Sequence, residues 1–237
     1  THEALPPYVA ESAPYEFEVE MRNDIVDGLK ENLSTMQEFQ ILDERTIRIQ
    51  AADMDWGFRR VAYLGYGSRA GVWRILRELD RYGVKGTFFC CALALERNAQ
   101  VGPEIVRQGH EVMGHGNRWE EYYRMDRDTE REAIRKAVES ITRTTGERPL
   151  GWYTRYGPSL NTRELVVEEG GFLYDSNSYA DDLPFYTQVH GKKWLVVPYS
   201  LEVNDTKFWR GGMVNPKDFY DTARNTLELL HSEGATN

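Results

Sequence analysis

Side chains that could carry out hydrolysis occur in three short segments of the chain. Asp53 and Asp55 lie in the first, His115 stands between two glycines in the second, and Arg155 belongs to the third. A carboxylate beside a histidine, in a pocket with little water, can act as a general base. A histidine at the end of a strand can also bind a metal or move a proton. These residue types indicate a hydrolytic site, provided that the fold brings the segments together.

The same residues also have ordinary structural explanations. Two aspartates that are two positions apart, like Asp53 and Asp55, can brace a loop or cap a helix, and a single histidine is often structural. Gly114 and Gly116 would let a backbone or a substrate approach His115 closely. The residues taken alone leave the catalytic and the structural explanation open.

Several well-defined motifs are absent from the sequence. It contains neither H-E-x-x-H nor paired C-x-x-C, which are strong signals of zinc sites. It also lacks the G-x-S-x-G of serine hydrolases and the G-x-G-x-x-G of dinucleotide-binding folds. The sequence therefore disfavours these classes of enzyme.

Charge and cysteine content exclude some partners and favour a compartment. The 237 residues carry a net charge of −9, which gives no basic field for nucleic acid. No apolar run is long enough to cross a membrane, and the first residues do not resemble a signal peptide. The only cysteines, Cys90 and Cys91, are adjacent in an apolar run, which favours two buried free thiols and a reducing compartment. We therefore expect a cytoplasmic protein.

Hydrophobic spacing predicts an arm followed by alternating strands and helices. Residues 1–45 form the predicted arm or cap, with a helical pattern over 24–39, and residues 46–237 form the predicted catalytic domain. Strands are predicted at 45–55, 86–91, 109–114, 151–152, from 171 and at 195–199, with helices at 68–82, 103–108, 128–146, 161–170 and 215–233. This alternation predicts a parallel sheet in a barrel or partial barrel, with the site at the carboxyl ends of the strands.

Four segments taken together resemble one family. They are YGSRAGVWRILRELDRYGVKGTFF (66–89), QGHEVMGHGNRWEEY (108–122), RPLGWYTRYGPSLNTRELVVEEGGFLYDSNSYADDLPFY (148–186) and LVVPYSLEVNDTKFW (195–209). Their content and order are similar to those of the polysaccharide deacetylase (NodB-homology) superfamily, on its allantoinase-like branch. The resemblance covers roughly residues 63–234.

The resemblance implies a fold and a reaction. The fold is an α/β, distorted and incomplete (β/α) barrel of the polysaccharide-deacetylase type. The reaction is hydrolysis of a carbon–nitrogen bond other than a peptide bond. Relatives usually continue beyond the last helix with further strands, so we also expect a barrel that lacks its last strands here. A fragment or an inactive relative is the corresponding alternative.

The resemblance also assigns residues. Metal-dependent members bind a divalent ion, usually zinc, through an aspartate and two histidines spaced H-x-x-x-H. His115 matches the first histidine, but Trp119 stands at the second. We therefore expect no bound cofactor, with Zn²⁺ or another divalent metal on His115 and Asp55 as the alternative. Asp53 and Asp55 match the acidic motif loosely, because the branch usually has a glutamate pair there.

The remaining assignments concern substrate and assembly. Arg155, Tyr153 and Trp152 fall in the segment that lines the family's pocket, and Trp119 offers an apolar wall. Asp182 is expected at a further edge of the pocket. The alternative is that it belongs to a turn with no role in binding. The expected substrate is a small cyclic amide or ureide such as allantoin. The alternatives are metal-dependent deacetylation of an N-acetylglucosamine polymer and a non-catalytic binding role. We expect a homo-oligomer.

Overall fold

The computed structural model describes residues 15–20, 39–41, 46–51, 66–155, 157–210 and 212–235. Among them are nine strands. Their bounds are β1 Tyr15–Glu20, β2 Phe39–Ile41, β3 Thr46–Ala51, β4 Thr87–Cys90, β5 Glu111–Gly114, β6 Gly151–Trp152, β7 Tyr174–Asp175, β8 Phe185–Val189 and β9 Lys192–Val196.

The helices of the described residues alternate with the strands from β4 onward. Their bounds are α1 Val72–Tyr82, α2 Ala92–Arg97, α3 Val101–Arg107, α4 Arg127–Thr145, α5 Thr162–Glu169, α6 Lys207–Arg210 and α7 Pro216–Ser232. A π-helical turn at Gly67–Gly71 leads into α1, and a 3₁₀ turn at Tyr122–Arg124 precedes α4. None of these helices is long and apolar enough to cross a lipid bilayer.

Six of the strands form one mostly parallel sheet in the order β4-β5-β6-β7-β9-β8. Each neighbouring pair from β4 to β9 is parallel, and β8 pairs with β9 in the antiparallel sense. The sheet is not closed, since β4 and β8 lie at its two edges within the described part of the chain. The α/β class and the incomplete barrel expected from the sequence are confirmed.

The strand predicted at 45–55 was expected in the parallel sheet, but its described residues lie in another sheet. Its residues 46–51 form β3, which pairs in the antiparallel sense with β1 and β2 in a separate three-stranded sheet. The prediction that this strand opens the parallel sheet is therefore wrong for the described residues. The small sheet also crosses the predicted arm boundary at residue 45. Of the helix predicted at 24–39, positions 24–38 lie outside the described residues and Phe39 begins β2.

Local signals set the helix ends much as expected. Asp126 caps α4, because its side chain accepts hydrogen bonds from the Asp128 and Thr129 N–H groups. Gly83 and Gly146 end α1 and α4 in the left-handed conformation, which costs glycine nothing. These caps fix where α4 begins and where α1 and α4 end.

The core lies between the parallel sheet and the helices packed on it. The longest contribution comes from α4, whose buried positions recur every three or four residues along one face. The buried cluster includes Leu76, Leu95, Ile105, Val112, Tyr122, Ile134, Val138, Ile141, Trp152, Leu165, Val166, Phe172, Trp194 and Val196. Burial of this apolar surface holds the strands in register.

Close packing controls the end of β5. A Cβ atom at Gly114 would lie 2.6 Å from Cε3 of the Trp152 ring on β6. That separation is far inside van der Waals contact, so only glycine fits without movement of the indole. His115 therefore follows a position that is fixed by packing.

Candidate active site

The carboxyl ends of the central parallel strands meet at one edge of the sheet. The residues that follow the strands continue the hydrogen-bond ladder: His115 N donates to Cys90 O at 3.0 Å, and Tyr153 N donates to Gly114 O at 2.9 Å. The strand ends thus bring two of the three predicted segments, those of His115 and Arg155, to one place.

The His115 ring is anchored through one nitrogen. Its Nδ1 lies 2.7 Å from the carbonyl oxygen of Tyr153. A carbonyl can only accept a hydrogen bond, so Nδ1 carries the proton in the neutral ring. The Nε2 lone pair is consequently the one that accepts from a substrate or a water molecule.

Aromatic rings surround the His115 imidazole. It stacks on Tyr153 with ring centroids 5.3 Å apart and planes 2° apart, and Tyr153 in turn stacks on Tyr199 at 4.8 Å. Trp119 meets the imidazole edge-on at 6.1 Å, and Phe89 lies 6.2 Å from it. These rings form a largely apolar aromatic wall around His115.

A buried cation completes the site. Arg155 is 1% exposed, and its guanidinium carbon lies 3.9 Å from the centroid of the Trp119 ring. The guanidinium keeps its positive charge at all relevant pH values. Arg155 and His115 therefore share Trp119 as a neighbour, and the site contains a permanent positive charge.

Burial lowers the pKa of His115 to about 4, and the charge of Arg155 acts in the same direction. The hydrogen bond to the Tyr153 carbonyl opposes this shift. The ring is therefore neutral at pH 7, as an acceptor at Nε2 requires.

Protonation of His115 provides a prediction about pH. We expect its imidazole to titrate near pH 4 in NMR spectra of the protein with ¹³C-labelled histidine, instead of near the ordinary value of about 6.5. Because the unfolded chain binds this proton more readily, stability should fall as pH drops from about 6.5 toward 4. His115→Asn should lack this part of the pH dependence. A titration midpoint near 6.5 would contradict the prediction.

A buried carboxylate, which is paired with a partly exposed arginine, supports the site. Asp175 is fully buried at the end of β7, and its two oxygens accept from Nε and Nη2 of Arg163 at 2.8 and 3.1 Å. It also accepts from Trp194 Nε1 at 2.6 Å and from Asn177 N at 2.9 Å. With four donors, this carboxylate holds the loop after β7 against β9.

Among the described residues, the side chains at His115 differ from the ligands of a metal-dependent deacetylase. Trp119 supplies one N–H and no ligand lone pair at the position of the second histidine. The described residues at His115 therefore do not fit that type of centre. A group with metal-ligand chemistry occurs elsewhere, at Glu164, Glu168 and His190. Its two glutamates are already paired with Arg127.

The structure brings several of the predicted site residues together but places one of them in the core. His115, Trp119, Tyr153 and Arg155 come together as described above. Trp152 does not join them as a substrate-binding residue: it is fully buried in the core, and its Nε1 donates to Thr154 Oγ1.

Two other predictions concern acidic residues. The Asp182 side chain is exposed, and the neighbouring Asp181 accepts from Asp182 N and Leu183 N, which forms a turn. A role of Asp182 at the pocket edge stays a prediction. Asp53 and Asp55 lie outside the described residues, so their role as the general base also stays a prediction.

Some residues of the site were missed from the sequence. Tyr199 and Phe89 complete the aromatic wall, and Asp175 and Asn177 form its support. Each lies within or just after a parallel strand, so the rule that sites occur at carboxyl ends was the available signal. Cys90 and Cys91 are free, as expected, although only Cys91 is fully buried. Burial raises the pKa of both thiols to about 12, so both are protonated at pH 7.

Comparison with known proteins agrees with this geometry. Residues 63–174 match the sequence model of the Polysaccharide deacetylase family. A Schizosaccharomyces pombe protein assigned to the polysaccharide deacetylases is 37% identical over 186 residues, which are 71% of this chain and 58% of that protein. The Peptidoglycan deacetylase of Helicobacter pylori is 32% identical over 142 residues, which are 59% of this chain and 48% of that protein.

A solved structure supports the same relationship. The crystal structure of Puue allantoinase superposes with a TM-score of 0.70 at 41% identity, covering 80% of this chain and 62% of that chain. Residues 63–174 therefore belong to a domain of the polysaccharide deacetylase family, as the sequence indicated. The chain spans less than two thirds of the length of each of these relatives.

Proposed function

We propose that this protein hydrolyses a carbon–nitrogen bond in a small cyclic amide or ureide such as allantoin. The observation that carries the proposal is the pairing of an Nδ1-anchored, neutral His115 with the buried cation Arg155 beside the aromatic wall. The 41% identity to an allantoinase supports the same substrate class.

The proposed reaction needs an attacking water molecule, a general base and a positive charge that stabilises the oxyanion. Water donates one hydrogen bond to His115 Nε2 and gives its proton to the carboxylate of Asp53 or Asp55. The water oxygen attacks the carbonyl carbon, and Arg155 stabilises the oxyanion, an effect worth about 3–4 kcal/mol for a well-placed donor. The carbon–nitrogen bond then breaks, and the leaving nitrogen takes the proton. No step in this proposal passes through a metal.

A second candidate is deacetylation of an N-acetylglucosamine polymer. The family model and the Helicobacter pylori relative, which is a peptidoglycan deacetylase, favour it. Metal-dependent chemistry of this kind needs a second histidine where the chain has Trp119. The donor set at His115 therefore supports the cyclic-amide reaction better.

The test is hydrolysis of allantoin, hydantoin, succinimide and chitin oligomers by the protein before and after dialysis against a chelator. We expect turnover of a ring amide that survives the chelator. Turnover restricted to the chitin oligomers and lost with the chelator would establish the deacetylase instead. If no substrate reacts, a non-catalytic role replaces both proposals.

A further inference from the structure

One peptide group connects His115 to a residue on another strand end. The carbonyl oxygen of Tyr153 accepts from His115 Nδ1 at 2.7 Å, and the N–H of Thr154 donates to Asn177 Oδ1 at 2.8 Å. These two atoms belong to the same planar unit, the peptide bond between Tyr153 and Thr154. The orientation of that plane is therefore set from both sides.

Asn177 is itself held firmly. Its backbone N–H donates to Asp175 Oδ1 at 2.9 Å, and its carbonyl oxygen accepts from Arg163 Nη2 at 3.3 Å. These two partners, Asp175 and Arg163, also pair with each other. The side-chain amide thus projects from a fixed backbone toward Thr154.

The hydrogen bond from the Thr154 N–H determines the orientation of the Asn177 side-chain amide. Oδ1 must face the Thr154 N–H, because an N–H needs an acceptor. The other amide atom, Nδ2, is buried and makes no hydrogen bond to any residue that the structure describes. An unmade hydrogen bond of this kind costs about 1–3 kcal/mol. The contact with Thr154 is therefore the interaction that this side chain provides.

We propose that Asn177 is a positioning residue, which holds the Tyr153–Thr154 peptide group and thereby fixes the His115 tautomer. When a side chain accepts a hydrogen bond from the N–H of a peptide group, the carbonyl of that group becomes more polarised. The carbonyl oxygen is then a better acceptor. The Tyr153 carbonyl then keeps the proton on Nδ1 and leaves Nε2 to accept. The effect on catalysis rests on the proposed function, but the effect on the tautomer does not.

The tautomer can be measured without any substrate. In ¹⁵N NMR spectra of histidine-labelled protein at pH 7, we expect His115 to show a protonated Nδ1 and an unprotonated Nε2. Asn177→Ala should raise the population with the proton on Nε2. If one of the tested amides is hydrolysed, this variant should also lower kcat by about 10- to 100-fold, as outer-shell partners of histidine ligands do, with little change in KM.

Two variants separate positioning from general damage. Thr154→Val keeps the backbone N–H but removes the hydroxyl that accepts from Trp152 Nε1. It should lower stability without changing the tautomer. Asn177→Asp keeps an acceptor for Thr154 N, so it should retain the proton on Nδ1 even if Asn177→Ala does not fold.

The outcomes are distinct. An unchanged tautomer in Asn177→Ala, or the proton on Nε2 in Asn177→Asp, would overturn the positioning role whatever the activity. A shifted tautomer in Asn177→Ala, in a protein that hydrolyses none of the tested amides, would support the positioning role and reject the proposed function.

Discussion

Replacing His115 by asparagine is expected to lower kcat/KM for the ring amide by about 10²-fold, the scale expected when an attacking water loses its orientation. Asparagine can still donate to the Tyr153 carbonyl, as Nδ1 does now at 2.7 Å. It has no atom in place of Nε2. The fold should therefore persist while the acceptor for water is lost. Steady-state kinetics and circular dichroism would measure the two properties.

The same strand offers a matched control. His110 lies just before β5, is 5% exposed, and accepts from Gly86 N through Nδ1 at 3.2 Å. His110→Asn retains an acceptor near that position and changes the end of the strand opposite to the site. We expect its kcat/KM to stay within about threefold of the wild type, because it touches no reacting group. Equal losses in both variants would mean that His115 acts only through the fold.

Asp175→Ala should be the most destabilising of the proposed substitutions. It leaves the guanidinium of Arg163 and the N–H groups of Trp194 and Asn177 without their carboxylate. Loss of this acceptor leaves the buried Trp194 Nε1 N–H unpaired, at a cost of about 1–3 kcal/mol. The guanidinium of Arg163, whose side chain is 33% exposed, can still be solvated. Urea-induced unfolding followed by tryptophan fluorescence would measure the loss.

An exposed ion pair provides the comparison for this experiment. Glu168 pairs with Arg127 at 2.6 Å, and the side chains are 38% and 33% exposed. Glu168→Ala should change the free energy of unfolding by at most about 1 kcal/mol, because solvent screens the pair. If Asp175→Ala is no worse than Glu168→Ala, the Asp175 carboxylate does not support the site.

Much of the fold could be predicted because its signals are local. The spacing of apolar residues predicted a helix at 128–146, and α4 spans Arg127–Thr145. The short strands β5 and β6 followed from their apolar residues and flanking glycines. Strand β8 was missed, although His190 and Gly191 form a two-residue turn with positive φ between it and β9. The less exposed face of β8 consists of Phe185, Thr187 and Val189, so a polar residue interrupts its apolar pattern.

The site could be predicted only in part, because its contacts join distant segments. The family resemblance indicated His115 and Arg155. It did not indicate that the pKa of His115 is low or which nitrogen carries the proton, since both depend on burial and on the Tyr153 carbonyl. Trp152 was assigned to the pocket because it lies in the segment that lines the family's pocket. Successive residues of a strand point to opposite faces, and Trp152 faces the core.

The contact between Gly114 and the Trp152 ring limits how relatives of this protein can diverge. A side chain at position 114 would collide with the indole, so the backbone that delivers His115 cannot be remodelled one substitution at a time. The loops that carry Tyr179 and Leu201 are exposed and free of that constraint. New substrate ranges should therefore arise through these loops, and a library aimed at altered specificity would vary them while keeping β5 and β6 intact.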